Sequence, residues 1–181
     1  EALAEAKRKA GELGMGTAAV LVGSAVDGPA AELVPHGPGK VFCLEHPVLA
    51  DYSSQGYSRA LGDFAREAGV VALFFAATAM GRDLAPRVAA GLGASLASDC
   101  TKVAAKDGGL EFTRPIYAGK AYLTVRLAST PQVATLRPNV FPLGAPGAGG
   151  TAEVVKKAAA IPDGLIKGRV AEVLKEQSAE I

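Results

Sequence analysis

Three runs in the first half of the chain, "TAAVLVG", "KVFCLEH" and "VVALFFAATA", are apolar almost throughout. A strand that alternates polar and apolar residues can leave one face in water. A strand apolar at nearly every position needs cover on both faces, which is the position of a parallel strand between two layers of helices. The segments between the runs supply that cover. Leu3, Ala6, Ala10 and Leu13 recur at helical spacing, and Gly14 follows them as a helix-ending glycine does. A second helix is predicted around Gly28 to Leu33. A third covers "DYSSQGYSRALGDFAREAG", with Ser53 or Ser54 near its cap, and a fourth begins near Gly81. Regular alternation of this kind predicts an α/β fold: three layers, doubly wound around a mostly parallel sheet.

The pattern changes after the fourth helix. Several β-type runs follow, separated by "KDGG", "YAGK" and "STPQ", which are turn signals that leave little room for helices. An antiparallel β extension is predicted there. The α/β domain is expected to occupy residues 1–137. Residues 138–152, rich in Pro, Gly and Ala, read as a linker, and 153–181 as an arm, in which "GRVAEVLKE" suits either a short helix or an extended segment.

Charge excludes some functions. Lys plus Arg is 19 against 18 for Asp plus Glu, so there is no basic stripe for nucleic acid and no acidic tail. Cys43 and Cys100 are far apart, each near the end of an apolar run, and read as reduced core thiols; a reducing compartment is expected. The opening "EALAEAKRKAGELG" is too charged for a signal peptide, and no segment reaches the ~20 apolar residues of a membrane span.

Parallel α/β folds bind ligands at the carboxyl ends of their strands, so the junction "ATAMGRD" is the first candidate site. A P-loop or a dinucleotide turn needs two or three glycines there, and only Gly81 is present. Asp83 near the helix start is favoured by the helix dipole but repels a phosphate. Gly81, Asp83 and Arg87 therefore read as a structural turn and helix cap, with Arg87 pairing to Asp83 across one helical turn and Pro86 tolerated in the first turn. Adenine-nucleotide binding around Gly23 and Gly81, in an enzyme or sensor, is the alternative. His36 and His46 lie beside prolines and lack a helical-spaced partner, Ser24 lacks the second glycine of a nucleophile elbow, and Asp107 and Glu111 flank a turn as solvated residues do. "FTRPIYAGKAY" sets Arg114, Tyr117 and Tyr122 around a tight turn. That composition suits a protein interface or an ordinary exposed hairpin.

The string from Gly81 through Arg82, Asp83, Leu84, Pro86, Arg87, Ala89 and Leu92, then Ser98 and Asp99, then Arg114, Pro115, Tyr117, Ala118 and Gly119, resembles the amino-terminal domain of electron-transfer flavoprotein alpha subunits and FixB-type proteins. The resemblance covers residues 1 to about 140 in order. It implies a scaffold domain, an electron carrier and not a stand-alone enzyme, in a heterodimer with a beta subunit. That heterodimer passes electrons through FAD from acyl-CoA or other dehydrogenases to an acceptor. It implies that FAD is held mainly by a carboxyl-terminal domain, that a β-strand precedes the first helix, and that the turn at Gly81 is architectural. Arg114 and Tyr117 become candidates for the partner interface. The expected location is the cytoplasm of a bacterium, or the mitochondrial matrix in a eukaryote.

Overall fold

Residues 1–144, 151–168 and 170–172 are described by the computed structural model. Helix α1 (Ala2–Leu13) closes at Gly14, whose left-handed backbone (φ 66°) turns its N–H back onto the last carbonyls of the helix. The side chains that α1 buries are Glu5 and Lys9, not the stripe Leu3, Ala6, Ala10 and Leu13, which is only half-buried. Glu5 is paired with Arg8 and Lys9 with Glu12, so each buried charge keeps a partner on its own helix.

Strand β1 (Ala18–Gly23) pairs in parallel with β2 (Lys40–Glu45), and helix α2 (Asp27–Leu33) connects them. Helix α3 (Ser54–Ala68) starts at Ser53, whose hydroxyl accepts from the Gly56 N–H, and leads to β3 (Ala72–Ala76). Helix α4 (Ala79–Gly91) then leads to β4 (Leu96–Cys100). Strands β5 (Lys102–Lys106), β6 (Gly109–Ile116) and β7 (Ala121–Arg126) form the expected antiparallel sheet.

Two strands depart from the sequence reading. The run "QVATL" belongs with the parallel strands: β8 (Gln132–Leu136) inserts between β3 and β4, parallel to both, and is buried at four of its five residues. Glu153–Ala158, placed in the arm, form β9, which pairs in parallel with β2. Phe141, from the segment read as linker, is buried in the core beside Leu136 and Phe112. The reading of "GRVAEVLKE" lies largely outside the described residues.

The parallel strands form two sheets, β1-β2-β9 and β3-β8-β4. Helices cover both faces. Val20 and Val22 of β1 and Leu73 and Phe75 of β3 share one core cluster with Leu61 and Phe64 of α3 and Leu84 and Val88 of α4. Ala19 and Leu21 face α2, and Ala72 and Phe74 pack with Ala2 and Leu13 of α1. The three-layer α/β architecture is therefore present, with the antiparallel sheet beside it. Among the described residues no ladder joins β1 to β3, and β3, one of the most apolar strands of the chain, is nowhere fully buried.

Candidate functional site

The carboxyl ends of β3, β8 and β4 are tied together by main-chain bonds, Ala77 N–H to the Leu136 carbonyl at 2.7 Å and Arg137 N–H to the Cys100 carbonyl at 2.9 Å. The β3–α4 turn lies at this end. Strand β3 stops at Ala76, and Thr78 is the N-cap of α4, its hydroxyl accepting from the Gly81 N–H at 3.3 Å. Two expectations are corrected here. Asp83 is not the cap: it lies in the second turn, where its carboxylate accepts from the Tyr52 hydroxyl at 2.6 Å and from Arg87 Nε at 3.2 Å. Those two donors, Tyr52 first, hold its carboxyl below the usual range. Pro86 is interior to the helix and not in its first turn.

Thr78→Ala should cost about 1 kcal/mol, because it strands an amide donor at the start of α4. Urea denaturation checks this. Asp83→Asn, which leaves that cap in place, should change stability less.

Gly81 has no room for a side chain. A Cβ there would stand 1.8 Å from the Ala76 carbonyl oxygen. The missing side chain thus admits the backbone of β3 and not a ligand. The Asp83 carboxylate, two residues further on, adds negative charge near the start of α4, which disfavours a phosphate there. Gly23 is similarly filled, its Cβ position being 2.7 Å from Val26 Cγ1.

A second group of residues gathers at the same strand ends. Asp99, Arg114, Pro115, Tyr117, Gly119 and Arg137 line a cavity of about 610 Å³. The Asp99 carboxylate accepts from Arg137 Nε at 3.1 Å and Nη2 at 2.5 Å, and Arg82 stands 3.5 Å away. The Arg137 bonds are the main reason that the Asp99 carboxyl titrates below its usual range, with Arg82 and Arg114 adding to the effect. The sequence singled out Arg114 and Tyr117 as candidates for a partner interface but not Arg137, which it assigned to a domain edge, or Tyr52. A charged residue directly after a run that becomes a buried strand was the available signal.

The Asp99 pair should make stability depend on acid. Its folded pKa is depressed, so its contribution is present above the unfolded aspartate value, about 3.9, and is lost as pH falls through the folded value. Comparing acid unfolding of the chain with that of Asp99→Asn tests this. The variant should be less stable at neutral pH, and the gap should close below about pH 4.

The histidines and the hairpin acids have their partners elsewhere. His36 offers its main-chain carbonyl to Lys7, and His46 Nδ1 accepts from the Val48 N–H at 3.2 Å. Asp107 and Glu111 pair with Arg126 at the far end of the hairpin. Cys43 and Cys100 are buried free thiols, and burial pushes Cys100 up to about 12. Among the described residues no helix is long and apolar enough to cross a membrane.

Residues 1–162 match the family model described as the electron transfer flavoprotein domain. The chain belongs to that family. Among relatives, the electron transfer flavoprotein subunit alpha of Thermoanaerobacterium thermosaccharolyticum is 32% identical over 178 residues, covering 97% of this chain and 54% of the relative. Protein FixB of Clostridium saccharobutylicum is 40% identical over 144 residues, 78% of this chain and 43% of the relative. The alpha subunit of Bacillus subtilis is 40% identical over 121 residues, 66% and 37% respectively. The chain spans about half the length, or less, of these relatives. Within this electron transfer flavoprotein domain, Gly81 thus lies in the first turn of α4, with the Asp83–Arg87 pair further along the helix, while Arg114 and Tyr117 line the cavity that also holds Asp99 and Arg137.

Proposed function

We propose that the chain is the amino-terminal scaffold domain of an electron-transfer flavoprotein alpha subunit. The observation that carries this reading is the alignment of 97% of the chain with 54% of a protein named as an alpha subunit. The domain docks a beta-type subunit through the hairpin of Arg114 and Tyr117. The heterodimer carries electrons from dehydrogenases to an acceptor in the cytoplasm of a bacterium, acting as a carrier and not as a stand-alone enzyme. FAD is held mainly by a second domain beyond the arm. The arrangement at Gly81 supports this division, since the space a side chain would take at that turn is filled by the backbone of Ala76.

A further parallel strand, upstream of α1, lies between β1 and β3. The unpaired edges of β1 and β3 flank the core that α3 and α4 share. Co-expression of the complete alpha chain with its beta-type subunit tests the assignment. The two should co-purify in equal amounts, and replacing Arg114 and Tyr117 together should weaken that assembly more than it destabilises the domain. Independent behaviour of the two chains would refute the subunit reading.

A further inference from the structure

We propose that the cavity at the carboxyl ends of β4 and β8 is a socket for a carboxylate side chain presented by the beta-type subunit, gripped by Arg114 and Arg82 beside the Asp99–Arg137 pair. The proposal rests on the subunit reading and adds the chemistry of the contact. Three guanidinium groups surround one carboxylate, which leaves two positive charges in excess. Arg137 already engages both oxygens of Asp99. Arg82 stands further off at 3.5 Å, and Arg114 Nε is shielded from solvent with no hydrogen-bond partner among the described residues. A guanidinium donor left unpaired is costly, and Arg114 lines the cavity, whose open side admits a carboxylate to the rest of that guanidinium.

The backbone around the cavity is strained. Asp99 (φ 57°), Tyr117 (φ 51°) and Ala118 (φ 53°) are three of the five non-glycine residues with positive φ among those described, and all three line it. Such conformations persist where the surroundings enforce them, and they concentrate at binding sites. Asp99 also selects the ligand. Asp99 repels a phosphate dianion more strongly than a singly charged carboxylate, and a planar carboxylate matches the fork of one guanidinium. The rim favours a protein as its source. Tyr117 is 78% exposed, Tyr122 67% and Leu123 44%, and β7, which carries the last two, is an edge strand. Exposed tyrosines beside a charged cavity are the composition of a protein interface, and a small ion has no use for them.

The test measures the affinity of the complete alpha chain for its beta-type subunit at about 50 and 500 mM salt. Arg114→Gln should weaken assembly about tenfold or more at low salt and flatten its salt dependence, with Arg114→Lys recovering only part. Tyr117→Ser should weaken it to the same degree at both salt concentrations. If Arg114→Gln lowers the stability of the alpha chain alone, the exposed Arg82→Gln carries the same expectation for salt dependence. Assembly sensitive to Tyr117→Ser but indifferent to the arginines would overturn the socket and leave the interface standing. Indifference to all of these variants would overturn both. Binding of inorganic phosphate to the alpha chain alone, competitive with the beta-type subunit, would show a small-anion site in place of the socket.

Discussion

Lengthening the chain upstream of Glu1 by the strand proposed to lie between β1 and β3 should raise its unfolding free energy by about 6 to 12 kcal/mol. The figure follows from burying some four large apolar side chains at ~1.5 to 3 kcal/mol each. It is an upper range, because the unfolded chain already buries part of that surface. It still rivals the ~5 to 15 kcal/mol that holds a typical domain folded. Leu73, Phe74 and Phe75 are apolar enough for the middle of a sheet yet only half-buried, whereas β8, which has a neighbour on each side, buries four of its five residues. Denaturant unfolding of the two chains, with amide exchange at β1 and β3, measures the gain. A lengthened chain with the same midpoint and no added protection at those amides would show that the two sheets are complete as they stand.

Gly81→Ala should have the next largest effect. The added methyl would sit 1.8 Å from the Ala76 carbonyl oxygen and 3.0 Å from its carbon. Those atoms are backbone of the residue that ends β3, so relief requires moving the strand or the first turn of α4. Moving that turn also stretches the bond between Thr78 Oγ1 and the Gly81 amide. The expected cost is about 3 kcal/mol or more, beyond the usual range for a residue with space around it. For a domain of this size that lowers the melting temperature by roughly 6 to 12 °C. Gly28→Ala is the control. It sits in α2 with nothing within 4 Å of its Cβ position and should be neutral or slightly stabilising. Equal stability of the two variants would show that the β3–α4 junction yields more readily than its geometry implies.

The parts of the fold that sequence made legible are those with local causes. Uninterrupted apolar runs marked β1, β2 and β3 because strands covered on both faces need no polar positions, and Ser53 marked the start of α3 because a hydroxyl there satisfies a free amide. Thr78 was overlooked in favour of Asp83, since both residue types suit a helix start and only the end of β3 decides between them. The placement of β8 between β3 and β4 is set by contacts distant in sequence, which "QVATL" does not record. Strand β9 was hidden for the opposite reason: as an edge strand with four of its six positions exposed, "EVVKKA" resembles a solvated arm. The candidate cavity was half legible. Arg114 and Tyr117 stand in one turn, but Asp99 and Arg137 are 38 positions apart, and only the folded sheet brings them together.

The central claim is that this domain supplies surface to a flavoprotein and does not itself hold the flavin. Visible absorbance of the purified chain, before and after incubation with FAD and removal of the excess, tests that claim most directly. The account predicts a colourless protein that leaves the fluorescence of added FAD unquenched, and a yellow one when the complete alpha chain is assembled with its beta-type subunit. One FAD retained per chain by the isolated 181 residues would contradict it.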